Sequence, residues 1–278
     1  MVGSVPRVSS WRSGSISRLS ELNLRASIDA LEARLAPRVS EAASTWLSTA
    51  RTEVGRDGSA LERHFPTAAR KAGHATLLEP PSPEVVRLFP GGPVLNPWRV
   101  DEAARVLLLL EDARRETTDA LARANDLYFV SDGRERIAVL RGLALLPESD
   151  AALPAVRDAL RANAADLFAA AICENGYTSR HLPDDLFNQA VLKCAFVGLH
   201  LGRIERVEER ATPELTRMLF AYVTEREHAG RSVGADLWPL IALHPPPGSV
   251  ERIRNCLATA ADPCERRVLA VALARGER

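Results

Sequence analysis

Two consecutive segments decide the fold class: HLPDDLFNQAVLKCAFVGLHLGRI at residues 181–204 and TPELTRMLFAYVTEREHAGRSVGADLW at residues 212–238. Apolar side chains recur in both at the three- and four-residue spacings of an α-helix. In the second segment, Thr212 and Pro213 are typical of a helix start and Gly230 is typical of a helix end. The segments therefore predict two helices separated by a short connection.

A lysine lies in the middle of the first predicted helix, residues 186–201, although that helix is apolar on almost every side. Lys193 is one of only two lysines in the chain. Because lysine is rarely buried without a partner, either its head reaches solvent or hydrogen-bond acceptors surround it. Side chains at steps of four, three and four residues share one stripe of a helix. This predicted stripe contains Gln189, Lys193, Phe196 and His200.

An acid on the next predicted helix is the expected partner of Lys193. Glu225 follows Tyr222 by three residues, which predicts an inward position, and we expect it to meet Lys193. Three interpretations stay open. The pair could be structural, with Asn188 and Gln189 tying the helix ends together. The cluster could instead bind a ligand, or the amine could perform acid-base or imine chemistry.

Composition narrows the possible function classes. The 278 residues are 46% hydrophobic, which is enough for a sizeable core. Because 36 basic residues balance 36 acidic ones and aromatics are few, nucleic acid is the least favoured partner. The four cysteines have no C-x-x-C spacing, which favours a reducing cytoplasm. No apolar run is long enough to span a membrane.

The rest of the chain continues the helical pattern, and we predict an all-α fold, either a multi-helical bundle or an irregular α-solenoid of stacked helix pairs. Prolines and caps mark the expected helix boundaries, among them Pro37, Asp132 and Pro147. The predicted regions are a disordered tail at 1–18, an N-terminal helical region at 19–75, a proline-rich linker at 76–97 and a helical domain at 98–278. The tail is rich in Ser and Arg, so a transit peptide is the alternative to a disordered tail or an early start codon.

Other groups of polar residues in the sequence fit structural roles better than metal binding or catalysis. His181 with Asp184 and Asp185 resembles a metal-ligand set, but acids in the first turn of a helix ordinarily cap it. Asn163 and Asn175 bracket a predicted helix, where they would either form caps or turns or bind a ligand. The common nucleotide, zinc-protease and hydrolase motifs do not occur in the sequence. We predict no catalytic residue, no metal and no cofactor.

Several motifs in order resemble the EboA domain family over residues 98–243. They are WRVDEAARVLLLL at 98–110, SDGRERIAVLRGLALLP at 131–147, RANAADLFAAAICENGY at 161–177, NQAVLK at 188–193 and ERxxAGR at 225–231. Gly176 stands where the family usually has proline, and Glu227–His228 where an aromatic is commoner. The resemblance adds motif residues to the candidate binding set. That set is Asn163, Tyr177, Asn188, Gln189, Lys193, His200, Tyr222, Glu225, Arg226 and Arg231.

What the resemblance implies is metabolite handling without a settled enzymatic activity. Family members look like cytoplasmic components of bacterial gene clusters that also encode a UbiA-like membrane prenyltransferase. We therefore expect a non-catalytic scaffold, adaptor or ligand-binding protein of a cluster that makes or exports a small metabolite. The prenyltransferase, other cluster proteins and a hydrophobic metabolite are the expected partners. The expected location is the cytoplasm, with peripheral attachment to the inner membrane left open, and an enzyme using Lys193 is the alternative function.

Overall fold

The protein is all-α in the computed structural model, which describes residues 10–77 and 98–278, with side chains from residue 22 onward. These residues form no strand or sheet, so the predicted fold class is confirmed. An isolated bridge joins Thr76 to Arg99. Among the same residues, no helix has both the length and the apolar character that a membrane crossing requires.

The helices are numbered α1 to α15 in chain order. The N-terminal part contains α1 (Ser10–Leu35), α2 (Glu41–Arg56), α3 (Ser59–His64), α4 (Ala68–Ala72), α5 (Val100–Arg115), α6 (Ala120–Val130) and α7 (Gly133–Leu143). The C-terminal part contains α8 (Leu153–Arg161), α9 (Ala165–Ile172), α10 (Gly176–His181), α11 (Asp184–Val197), α12 (Pro213–His228), α13 (Trp238–Ile241), α14 (Ser249–Thr259) and α15 (Pro263–Gly276).

Helix boundaries follow the local signals of the sequence. The Asp132 carboxylate accepts hydrogen bonds from the backbone N–H groups of Arg134 and Glu135, both at 3.0 Å, and starts α7. The Thr212 hydroxyl accepts from the N–H of Leu215 at 3.2 Å and starts α12. These side chains replace partners that the first N–H groups of a helix lack. Both predicted caps are therefore confirmed.

The N-terminal end of the helical region differs from expectation. Residues 10–18 were predicted to be irregular, but they belong to α1, which begins at Ser10. Extending a helix that has already formed costs far less than starting one, so the amphipathic segment after residue 18 can propagate towards the N-terminus. Residues 1–9, and residues 78–97 of the proline-rich linker, lie outside the described part of the chain.

The contacts divide the chain into two compact units, and the division falls within α8, between residues 155 and 156. The sequence had instead suggested a boundary at residues 76–97. In the first unit, α5 is the central helix and packs against α1, α2, α4 and α7. Nearly all of α5 is buried, including the charged residues Asp101, Glu102, Arg105, Glu111 and Asp112. Such a helix must find partners for every charge it carries.

The second unit comprises residues 156–278 of the described chain. Helices that are close in sequence pack together: α9 on α10, α11 on α12, α12 on α13, and α14 on α15. Cys173 and Cys194 lie buried in this unit. A hydrogen bond with Cys173 and burial raise the pKa of the Cys194 thiol well above its usual range. This thiol therefore behaves as a small core side chain.

Candidate ligand-binding site

Lys193 serves as a cap for a neighbouring helix. Its ammonium group donates to the carbonyls of Leu160 at 2.8 Å and of Ala162 at 2.9 Å. Its Nζ also lies 4.4 Å from the centroid of the Phe168 ring. Leu160 is in the last turn of α8, where carbonyls lack intrahelical partners and the helix dipole favours a cation. The half-buried lysine therefore has acceptors and a ring around its charge, as one interpretation of the sequence required.

The predicted contact between Lys193 and Glu225 is wrong. Glu225 is exposed on α12, and the described contacts of the Lys193 ammonium are the two carbonyls and the ring. The buried stripe of α12 contains Leu215, Leu219 and Val223, one helical turn apart. Glu225 is two residues beyond Val223, which rotates it away from that stripe. The spacing from Tyr222 therefore did not predict the position of Glu225 on this helix.

The predicted polar stripe of α11 stops short of His200. The helix ends at Val197, and Gly198 follows with φ of +77°, a conformation that suits glycine. The ring of His200 instead accepts a hydrogen bond through Nδ1 from the N–H of Gly202 at 3.0 Å. Burial lowers the pKa of His200, and the carboxylate of Asp236 opposes that shift. His200 therefore caps a short turn rather than extending the stripe.

The other predicted residues have separate surroundings. The hydroxyl of Tyr222 donates to the carbonyl of Ala195 at 3.2 Å, which ties α12 to α11. Arg226 donates to the carbonyl of Ser232 at 3.2 Å. Tyr177 is buried and stacks on the His181 ring with centroids 4.6 Å apart. The remaining four differ in exposure: Asn188 is buried, while Asn163, Gln189 and Arg231 are exposed.

Two residues near α10, whose roles the sequence left open, have defined contacts in the structure. The Asn175 side chain accepts from the N–H of Thr178 at 3.3 Å and donates to the carbonyl of Ala170 at 3.0 Å. Asn175 is therefore a helix cap, as one interpretation predicted. Asp184, in the first turn of α11, pairs with Arg210 at 2.5 Å. This contact fits the structural interpretation of the acids at the start of α11.

A small pocket lies between α8 and α11, and we call it the α8–α11 pocket. Its volume is about 280 Å³. It is lined by Arg157, Leu160, Arg161, Leu186, Gln189, Ala190 and Lys193. Of the ten predicted binding residues, Gln189 and Lys193 line it. The pocket therefore combines positive charge with an apolar wall.

Sequence reasoning missed the two arginines of this pocket. Arg157 and Arg161 lie four residues apart on α8, so they share one face of that helix. Ala155, Val156 and Ala159 of the same helix are buried. The spacing of the arginines opposite this apolar face was visible in the sequence. Nothing in the sequence, however, indicated that the face carrying the arginines lines a pocket with α11.

A second polar cluster, also missed, occupies the first unit. Arg105 of α5 is 2% exposed, and its guanidinium donates to Asp101 at 2.7 Å and to the carbonyl of Phe65 at 3.0 Å. Nearby, Glu102 is fully buried and pairs with Arg141. All of these contacts join α5 to its neighbours or hold its first turns. They make the motif at 98–110 a structural centre of the unit.

The fold and these sites define an all-α protein that has a buried, charged central helix in its first unit and a small pocket of mixed polarity in its second. The chain matches the family described as metabolite traffic protein EboA over residues 27–242, and it therefore belongs to that family. No curated protein and no solved structure matches the chain. The family match begins well before residue 98, where the quoted motifs begin. It therefore includes the last third of α1 and all of α2, and extends through the α8–α11 pocket.

Proposed function

We propose that the protein binds a small metabolite in the α8–α11 pocket and releases it chemically unchanged. The family description, metabolite traffic, supports a role in handling a compound. The contacts of Lys193 are the observation that carries the proposal. This amine donates to two backbone carbonyls and lies over an aromatic ring, so it holds α8 against α11 and shapes the pocket wall. The pocket thus offers charge and apolar surface for binding.

Imine chemistry at Lys193 is the weaker alternative. That chemistry needs an uncharged amine whose lone pair can attack a carbonyl compound. The two carbonyl acceptors instead hold this nitrogen at the end of α8, so it is engaged in a structural contact. The contacts therefore favour binding over covalent catalysis.

Native mass spectrometry of the full chain, purified from cells of its source organism, tests the proposed function. We expect a small molecule to co-purify and to be released intact on denaturation. Leu186→Trp should reduce its amount, because the indole would fill the pocket. Val271→Trp is the matched control, since Val271 is exposed on α15 and does not line the pocket. Thermal melts would establish that both variants fold.

Two results would count against the proposal. Equal amounts of the bound compound in the Leu186→Trp protein and the wild type would remove the pocket as its binding place. A mass increase at Lys193 after borohydride treatment with the bound compound would support the enzyme alternative. In that case Lys193→Met should abolish the added mass.

We also propose that the protein works on the cytoplasmic side of the membrane beside a UbiA-like prenyltransferase. The family resemblance supplies this partner. Phe196 and Val197, at the end of α11, are 71% and 43% exposed. Adjacent exposed apolar side chains are common at docking surfaces. They support the placement of a protein partner at this end of the helix.

Co-purification with a UbiA-like prenyltransferase from the same genome tests this partner. We expect Phe196→Ser/Val197→Ser to lower the recovery of the enzyme severalfold, since two apolar contacts would be lost. Val271→Ser changes an exposed apolar residue on another helix and should leave recovery unchanged. Equal recovery with the double variant and the wild type would show that the partner does not dock here.

A further inference from the structure

We infer that the α8–α11 pocket binds an oxyanion, a phosphate, sulfate or carboxylate group carried on a compact apolar body. This inference rests on the proposed function, because it names the class of metabolite for the same pocket. The lining contains three cationic side chains and no carboxylate. Since the whole chain carries equal numbers of basic and acidic residues, the local excess of positive charge departs from the composition. An anion would complement it.

The three cations have different roles. The ammonium group of Lys193 donates to the carbonyls of Leu160 and Ala162, and Lys193 also lines the pocket. Arg157 and Arg161 are exposed and form no ion pair within residues 10–77 and 98–278. The two guanidinium groups are therefore available to a ligand. Lys193 keeps the end of α8 neutralised, so the helix dipole there does not repel an anion as strongly.

A cavity in the first unit is also lined by arginines, but these arginines are paired with a carboxylate. That cavity, of about 460 Å³, is also lined by two arginines, but it includes Asp112 and Asp126. Arg115 and Arg123 both pair with Asp112, at 2.9 Å and 2.7 Å. Their charge is therefore met within the protein. Among residues 10–77 and 98–278, Arg157 and Arg161 have no such partner, so the α8–α11 pocket keeps positive charge that a ligand can meet.

The geometry of arginine favours oxyanions. Arg157 and Arg161 are one helical turn apart, where like charges repel each other. An oxyanion between them would relieve this repulsion, and each planar guanidinium can donate two parallel hydrogen bonds to it. Gln189 adds an amide that can donate to the same group. These groups define the charged end of the ligand.

The remaining lining defines the other end. Leu160, Leu186 and Ala190 supply an apolar wall. A volume of about 280 Å³ is at the small end of ligand pockets, so a single ring or a short chain would fill it. The expected ligand class is therefore a small monoanionic or dianionic ester or acid with an apolar body. A phosphate group could belong to a soluble metabolite or to a lipid headgroup.

Calorimetric titration of the full chain with phenyl phosphate, and with phenol as the neutral probe, tests the inference. At physiological ionic strength we expect saturable binding of phenyl phosphate, at least about tenfold tighter than that of phenol. Arg157→Gln/Arg161→Gln should weaken it by at least about tenfold. The matched control is Arg266→Gln/Arg267→Gln, which removes two exposed arginines of α15 that form no ion pair among the described residues and lie outside the pocket. It should leave the affinity within about twofold.

Binding to lipid vesicles distinguishes a lipid headgroup from a soluble metabolite as the source of the oxyanion. Binding to phosphatidylcholine vesicles that contain phosphatidic acid, lost with Arg157→Gln/Arg161→Gln, would support a lipid headgroup. Arginine-dependent binding of phenyl phosphate alone would support a soluble ligand. Binding of neither probe, equal binding of phenol, or binding that does not depend on the two arginines would overturn the inference.

Failure of the oxyanion inference can be distinguished from failure of the proposed function. If Leu186→Trp removes the co-purifying compound but Arg157→Gln/Arg161→Gln retains it fully, the pocket binds a metabolite that is not held by an oxyanion. The inference then fails and the proposed function stands. If Leu186→Trp leaves the bound compound unchanged, the proposed function itself fails.

Discussion

Replacing Arg105 with methionine is expected to destabilise the first unit by about 3–5 kcal/mol, the range for removing one partner of a buried ion pair. Arg105 and Asp101 are 2% and 1% exposed. The substitution would leave the carboxylate of Asp101 with Arg99 as its remaining close cation, and the carbonyl of Phe65 without its donor. Methionine keeps most of the side-chain volume, so the effect would report lost charge pairing rather than a cavity.

Arg114→Met is the matched control for this prediction. Arg114 belongs to the same helix and pairs with Glu111 at 2.7 Å, but its side chain is 57% exposed. Glu111 is buried but also pairs with Arg51, so losing the mostly solvated Arg114 should cost less than about 1 kcal/mol. Chemical denaturation followed by circular dichroism gives both free energies of unfolding. Similar losses in the two variants would show that burial does not strengthen the Arg105 contacts.

The second large effect is expected at Lys193. Lys193→Met should lower the free energy of unfolding by about 2–3 kcal/mol, because hydrogen bonds from a charged donor each contribute more than neutral ones. The loss should be smaller than at Arg105, since Lys193 is half-buried and water can reach part of the site. Glu225→Gln should change the free energy of unfolding by no more than about 0.5 kcal/mol, because Glu225 is exposed.

A double-mutant cycle decides between the carbonyl cap and a Lys–Glu pair. The variant Lys193→Met/Glu225→Gln should show the sum of the two single effects, with a coupling energy near zero. Denaturant titrations of the four proteins provide the measurement. A coupling energy above about 1 kcal/mol would restore the ion pair that the sequence suggested.

These two predictions bear on different aspects of function. The Arg105 contacts hold the central helix of the first unit, so their loss should impair any function that requires a folded chain. The Lys193 contacts hold one wall of the α8–α11 pocket. Lys193→Met should therefore change ligand binding as well as stability. The arginines of the pocket are exposed, so their substitution should affect binding with little change in stability.

The helices themselves could be predicted because their signals are local. Asp132 and Thr212 start helices through hydrogen bonds to N–H groups two or three residues away. The helix α1 ends at Leu35, two residues before Pro37, because proline cannot continue an α-helix. Such contacts depend on neighbours within one helical turn, which the sequence specifies directly.

The orientation of each helix was predicted less well. Glu225 was assigned to the inward stripe through its spacing from Tyr222, but Val223 is the buried residue of that turn. Both stripes contain apolar side chains, so spacing alone left the rotation of α12 undetermined. The packing of α12 on α11 and α13 decides it, and that packing is a long-range property.

The amino-acid sequence by itself determined the all-α class, the main helix boundaries, the family and the unusual character of Lys193. Only the tertiary structure decided what Lys193 contacts. Its acceptors, the carbonyls of Leu160 and Ala162, are more than thirty residues away and belong to the backbone, so no side-chain pattern could reveal them. Arg157 and Arg161 join the same pocket for a similar reason. They become a site only when α8 packs against α11, because a pocket is formed by surfaces that the chain brings together on folding.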